Sequence, residues 1–170
     1  MIATPDYILM MARYASWQNA ALITAADTLS QADRTLDRGG FFGSIVGTLN
    51  HLLWGDRIWM SRFAATPAPR QGSITDSVRE TADWEDYKSA RSAQDTATRD
   101  WAKTVSADAL AGDLTWYSGA AGREVSRPMG ALIVHMFNHG THHRGQVHAM
   151  LTAAGASTTD TDLFLMPKDT

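Results

Sequence analysis

Five of the chain's six histidines fall within fourteen residues, from His135 to His148. Two of them, His139 and His143, are four residues apart, and on a helix this spacing places two imidazoles on one face, about 5–6 Å apart at Cβ. Imidazole is the commonest metal ligand that proteins use, so a pair with this spacing can offer two nitrogens to one ion. The sixth histidine, His51, lies in a separate apolar segment and is a candidate third ligand. The pattern predicts a metal site.

A helical wheel places His139 and His143 on the apolar side of the last histidine-rich segment. At 100° per residue, one sector within roughly 20° to 80° of His139 holds His143 and four apolar residues. These four are Leu132, Met136, Val147 and Met150. His135, His142 and His148 are predicted at the boundary or the surface. A lone histidine on an apolar face is more often a hydrogen-bonded core residue than a ligand, but two bare imidazoles are costly to bury without a partner. His135 and His139 are also four residues apart, so this pair remains an alternative candidate for the two ligands.

Other residues near these histidines are candidates for supporting roles. Gln146 falls about 20° from His139 on the wheel, where its amide can hydrogen-bond a ligand histidine or touch a substrate. Arg144 and Trp116 are further candidates for substrate contacts, and Arg57 and Arg62 join Arg144 as candidates for holding an acidic group. Most of the helical neighbours of His51 by angle are small; the set is Ser44, Gly47, Thr48, Gly55, Ile58 and Arg62. They either leave space for a ligand or allow close helix packing, and the pattern does not decide between the two.

Length and composition limit the class of protein. The 170 residues fit one domain, 1–170, with a sizeable core. A formal net charge of −3 supplies no basic stripe, so nucleic acid is not an expected partner. The chain has no cysteine, which excludes disulfides, thiolate ligands and a cysteine nucleophile. There is no apolar run of about 18 residues and no basic, then apolar, start, so we expect neither membrane association nor secretion, and a cytoplasmic location.

Periodicity predicts an all-α fold, a four-helix bundle with a small β-hairpin before the last helix. The first helix has Thr4 as its cap and Pro5 at its first position. Asp33 to Gly40 is polar and predicted to be loop. The hairpin pairs 114–117 with 123–126 through a glycine-bearing turn at 118–122. The three later helices are predicted at 44–63, 81–105 and 128–153 or 154, with Gly155 as the final stop.

The final histidine run, continued by Arg144-Gly145-Gln146, resembles the signature of the DinB/YfiT-like superfamily of bacterial metalloproteins. The segment Leu49-Asn-His51-Leu-Leu-Trp-Gly-Asp-Arg-Ile-Trp59 is similar to the second helix of that family. The resemblance covers nearly the whole chain. It implies a divalent metal held by His51, His139 and His143, with zinc or nickel expected and iron or manganese as alternatives. It also implies a homodimer, and in several members a transferase or isomerase that uses bacillithiol, mycothiol or a related thiol.

Three neutral imidazoles leave a divalent ion with its full charge and an open position, as in catalytic zinc sites. Such an ion can activate a small thiol, which must come from outside because the chain has no cysteine. The predicted function is therefore a metal-dependent thiol S-transferase acting on a small electrophile. The alternatives are a metal-dependent hydrolase and a metal- or ligand-binding protein without turnover. A hydrolase would want a carboxylate base; Asp56 is predicted to face away from His51, and Glu124 lies in the hairpin.

Overall fold

The computed structural model describes residues 2–119 and 121–168, so Ala120 in the predicted hairpin turn lies outside the described residues. Four long helices and a hairpin dominate the fold, which confirms the predicted all-α bundle. The long helices are α1 (Pro5–Asp27), α3 (Ile45–Phe63), α4 (Trp84–Thr104) and α5 (Met129–Ala153). The antiparallel strands β1 (Asp113–Ser118) and β2 (Arg123–Pro128) immediately precede α5. No described helix is both long and apolar enough to cross a membrane.

Capping side chains set where the helices begin. The Thr4 hydroxyl accepts a hydrogen bond from the Tyr7 amide at 3.2 Å, as predicted for the start of α1. The Asp83 carboxylate accepts from the Asp86 amide at 2.9 Å, so α4 begins at Trp84, three residues later than predicted. A short helix, α2 (Gln31–Thr35), was not predicted. Its capping residue is Ser30, and its five residues are too few for a periodic apolar pattern to show in the sequence.

Two apolar clusters, one toward each end of the bundle, form the core. One contains Leu22, Ile45, Leu49, Leu53, Tyr87, Val147 and Leu151. The other contains Ile8, Ala12, Met60, Ala102, Ile133, Met136 and Phe137. The helices α3 and α4 both run from the first cluster to the second, whereas α1 and α5 run from the second to the first. Because α3 and α4 are parallel, the connection at 64–83 has to travel back along the bundle.

This connection is held against α3 by buried polar groups. The Glu80 carboxylate is fully buried and accepts hydrogen bonds from Arg57 Nη1 at 2.6 Å and from the backbone amides at positions 70 and 71. The Thr81 amide donates to Asn50 Oδ1 on α3 at 2.9 Å. A single turn of 3-10 helix, Asp76–Arg79, lies between these anchors and carries the buried Ser77. The connection thereby places a serine beside the middle of α3.

Buried charges occupy the level between the two apolar clusters. Arg91 on α4 is 1% exposed and forms ion pairs of 2.7 Å with both Asp56 and Asp95. Together with Arg144 of α5, these three residues line a small cavity that has room for about one water molecule. The positive charges of two arginines are therefore balanced by the negative charges of two aspartates within the bundle. Asp56 is paired with Arg91, in agreement with its predicted orientation away from His51.

Candidate metal centre

The three predicted ligands meet between α3 and α5. The Nε2 atoms of His51 and His139 are 3.1 Å apart, and one nitrogen from each of His51, His139 and His143 lies within 4.8 Å of the other two. His51 and His143 are buried, and His139 is partly exposed. Tetrahedral zinc with bonds of about 2.0–2.1 Å needs nitrogens roughly 3.3 Å apart. The cluster is therefore close to the geometry that holds one metal ion.

A hydroxyl group selects the tautomer of His51. Ser77 Oγ donates its single hydrogen to the carbonyl of Ile74 at 2.5 Å. It also lies 2.8 Å from His51 Nδ1, where it can only accept, so Nδ1 carries the proton. The lone pair of neutral His51 is then on Nε2, the atom that faces His139. This hydrogen bond to the non-ligating nitrogen is the arrangement found around metal-binding histidines.

Gln146 acts on His143 in the same way. His143 Nδ1 lies 2.7 Å from Gln146 Oε1, an acceptor, so the ring nitrogen is the donor. The Gln146 amide nitrogen lies 3.2 Å from Nε2 of His142, which orients the amide oxygen toward His143. The lone pair of His143 is consequently on Nε2. Gln146 thus contacts His143, one of the three candidate ligands.

Burial keeps the three imidazoles neutral. Loss of solvent, followed by repulsion from the neighbouring histidines, lowers the pKa of His51 to about 3. The same causes lower the pKa of His139 to about 4, and burial lowers that of His143. Neutral imidazole is the form that binds metal. At neutral pH the cluster therefore offers nitrogen lone pairs without first losing protons.

Gly55 of α3 allows the His139 ring to pack directly against the helix, and Gly47 makes room for the chain that precedes α3. A Cβ added to Gly55 would lie 2.9 Å from Cε1 of His139, so the imidazole occupies the space that a side chain would fill. A Cβ on Gly47 would collide with the carbonyl of Phe42. Gly55 therefore serves close packing between α3 and α5, whereas Ser44 caps α3 and the Thr48 hydroxyl donates to the Ser44 carbonyl.

Aromatic rings enclose His51 on two sides. Phe42 stacks on its imidazole with ring centroids 3.7 Å apart and meets His143 at 5.4 Å. Trp54 stacks at 5.6 Å from His51. Sequence analysis missed Phe42, Trp54 and Ser77 as site residues. The pair of phenylalanines between Gly40 and Gly43 was a usable signal for Phe42, whereas nothing local marked Ser77.

The remaining candidates lie farther from the cluster. Trp116 contacts Trp59 at 5.6 Å, and Trp59 in turn contacts His135 at 5.3 Å, so Trp59 lies between Trp116 and the histidine run. Arg144 is buried on another side of α5, 5.8 Å from the ring of Tyr14. Its hydrogen bond goes to Thr141 on its own helix. Glu124 is exposed on β2.

Comparison with known families agrees with this architecture. Residues 3–169 match the model of the DinB family, which spans nearly the whole chain. The chain belongs to the DinB family. No curated protein is a significant match to the sequence. The family assignment and the three clustered histidines together support a metal-binding capacity for this DinB protein.

Proposed function

We propose that this DinB protein binds one divalent metal ion through Nε2 of His51, His139 and His143. The observation that carries the proposal is the convergence of three neutral imidazoles, two of them buried and the third partly exposed. Two of the three have Nδ1 engaged by an oxygen acceptor. Imidazole donors suit zinc, nickel and iron, with manganese a weaker fit. Zinc or nickel is the expected occupant.

We further propose that the protein transfers a small exogenous thiol to an electrophile. A divalent ion with three neutral ligands supplies positive charge that lowers the pKa of a thiol. The transfer forms one sulfur–carbon bond and breaks the bond between that carbon and its leaving group. The leaving group departs with the electron pair, and the thiol proton passes to solvent.

The engagement of the nearby carboxylates favours a transferase over a hydrolase. Asp56 is paired with Arg91, and Glu80 accepts hydrogen bonds from Arg57 and two backbone amides. Hydrolysis by an activated water calls for a carboxylate base within hydrogen-bond reach, and these two are already satisfied by cations. A thiol with a lowered pKa needs no such base at neutral pH.

Metal analysis tests the first proposal. Protein prepared without a histidine tag should contain one divalent ion per chain, and His143→Ala should abolish stoichiometric binding. His148→Ala is the matched control because His148 lies in the same helix but lines a cavity with Tyr14 and Leu22. Equal loss from both variants would show nonspecific binding by the histidine run and would refute the three-histidine site.

Spectroscopy of cobalt-substituted protein tests the second proposal. Sulfur ligation produces a charge-transfer band in the near ultraviolet, so addition of a small thiol should generate such a band. The band should disappear in the His143→Ala protein. If neither bacillithiol, mycothiol nor simple alkyl thiols perturb the spectrum, the transferase proposal fails. Turnover of an ester or amide by the same protein would then favour the hydrolase.

A further inference from the structure

Arg62 on α3 differs from Arg57 and Arg144, the other two arginines that the sequence analysis gave as candidates for holding an acidic group. Arg57 is paired with the buried carboxylate of Glu80, and Arg144 is buried beside Asp56, Arg91 and Asp95. Arg62 forms neither an ion pair nor a hydrogen bond with the described residues. It is only partly exposed, and burial lowers its pKa. Its five N–H donors are therefore available to a ligand.

Two tryptophans hold the guanidinium of Arg62. Its central carbon lies 4.8 Å from the ring centre of Trp59 and 5.4 Å from that of Trp116. The two rings meet edge to face at 5.6 Å, so the three side chains contact one another. Trp116 is on the inner face of β1, and the hairpin thus brings one wall of this cluster to α3. Stacking restricts the guanidinium without consuming its hydrogen-bond donors.

The cluster adjoins the histidine run of α5. Trp59 contacts His135 at 5.3 Å, and His135 is 6.0 Å from His139. Along α3, Arg62 follows Gly55, the residue against which the His139 ring packs, by two helical turns, a rise of about 10 Å. This rise corresponds to a chain of about six to eight atoms, which is the length we take for a ligand that joins the metal centre to Arg62.

We propose that Arg62, with Trp59 and Trp116 as apolar walls, binds an anionic group at the far end of the small molecule that enters this site. The group is a carboxylate or a phosphate, whose oxygens match the fork of a guanidinium. The part of the ligand between this anion and its reactive end is apolar enough to lie along the indole rings. The proposal rests on the proposed function only for the chemistry at the metal end.

The first test uses probes without sulfur, so its outcome is independent of thiol chemistry. Tryptophan fluorescence of the protein without added metal is titrated with octanoate, octyl phosphate and octanol. We expect at least one anion to bind about tenfold more tightly than octanol, because a charge-assisted hydrogen bond is added. The stronger of the two anions identifies the preferred group. Equal affinity for all three probes would overturn the proposal.

The variants assign the anion to Arg62. Arg62→Gln should remove the preference for anions, and Arg62→Lys should retain part of it. Arg123→Gln is the matched control, since it makes the same change in charge at an exposed position on the hairpin. Preservation of the preference in Arg62→Gln, or equal loss in both glutamine variants, would overturn the assignment. Thermal denaturation of each variant shows that it is folded.

A second arm connects Arg62 to the metal end. Cobalt-substituted protein is titrated with 8-mercaptooctanoate and 8-mercaptooctanol, and the charge-transfer band reports binding. We expect about tenfold tighter binding of the carboxylate in the unmodified protein and equal binding in Arg62→Gln. Similar affinities in the unmodified protein would overturn the link between the two ends. If neither thiol binds cobalt, the transferase proposal fails, while the first arm still decides the anion site.

Discussion

Replacement of Gly55 by alanine should separate the stability of this protein from its affinity for metal. Alanine is favoured over glycine in a helix interior by about 0.8–1.0 kcal/mol, so α3 should become more stable. The new methyl group would lie 2.9 Å from His139 Cε1, however, whereas ordinary contact begins at 3.4 Å. Ordinary contact is restored by a shift of about 3.4 − 2.9 = 0.5 Å, and the imidazole, at the end of a flexible side chain, is the group that moves most easily. Metal–ligand distances in a well-formed site lie within about 0.2 Å of their ordinary values.

The displacement of His139 should therefore weaken metal binding. Changes in the groups that orient a ligand histidine cost about 10- to 100-fold in affinity, or about 1.4–2.7 kcal/mol. Competition with a chromophoric chelator measures the affinity for zinc, and urea denaturation of the metal-free protein measures the free energy of unfolding. We expect opposite changes in the two quantities.

Gly145→Ala is the matched control for this experiment. Gly145 lies in α5 between His143 and Gln146, and a Cβ there would meet no atom within 4 Å. It should stabilise the fold by a similar amount and leave zinc affinity unchanged. If Gly55→Ala binds zinc as tightly as Gly145→Ala, the His139 ring does not rest against Gly55 in the metal-bound protein, and the packing argument is refuted.

Three further predictions concern the surroundings of the site. Ser77→Ala should weaken zinc binding about tenfold by releasing the His51 ring; unchanged affinity in the chelator assay would remove Ser77 from the site. Asp56→Ala should lower the free energy of unfolding by about 3 kcal/mol, because it breaks a buried ion pair with Arg91. A full equivalent of zinc should still bind, and loss of the metal would contradict the separation of this ion-pair network from the three histidines. The pKa values of His51 and His139 are depressed to about 3 and about 4 in the folded chain, so the unfolded chain binds protons first as pH falls. Metal-free protein should therefore lose stability below about pH 6.5, by about 2 kcal/mol per histidine at pH 5, as measured by urea denaturation at a series of pH values. A urea midpoint that does not change with pH would show that folding does not depress the pKa values of these histidines.

The sequence by itself determined the four long helices and the orientation of the last one. Thr4 and Pro5 mark the start of α1, and the end of α5 was placed correctly because Gly155, with a φ of +82°, adopts the left-handed conformation that ends helices. The face of α5 was also predictable, since a helix repeats every 3.6 residues and His143 falls among apolar side chains that are buried. These features depend on residues within a few positions of one another.

The tertiary structure decided what distant segments contribute. Ser77 reaches His51 because α3 and α4 are parallel and their connection must travel back along the bundle, a property of topology that no local pattern encodes. Gly55 accommodates the ring of His139, which lies 84 positions later in the chain. Arg57, Arg62 and Arg144 look alike in sequence, and only packing distinguishes them. Arg57 is paired with a carboxylate, Arg62 lies against two aromatic faces, and Arg144 belongs to a buried charge network. The cost of burying each charge depends on its three-dimensional neighbours, and so the fold determines which cation is available to a ligand.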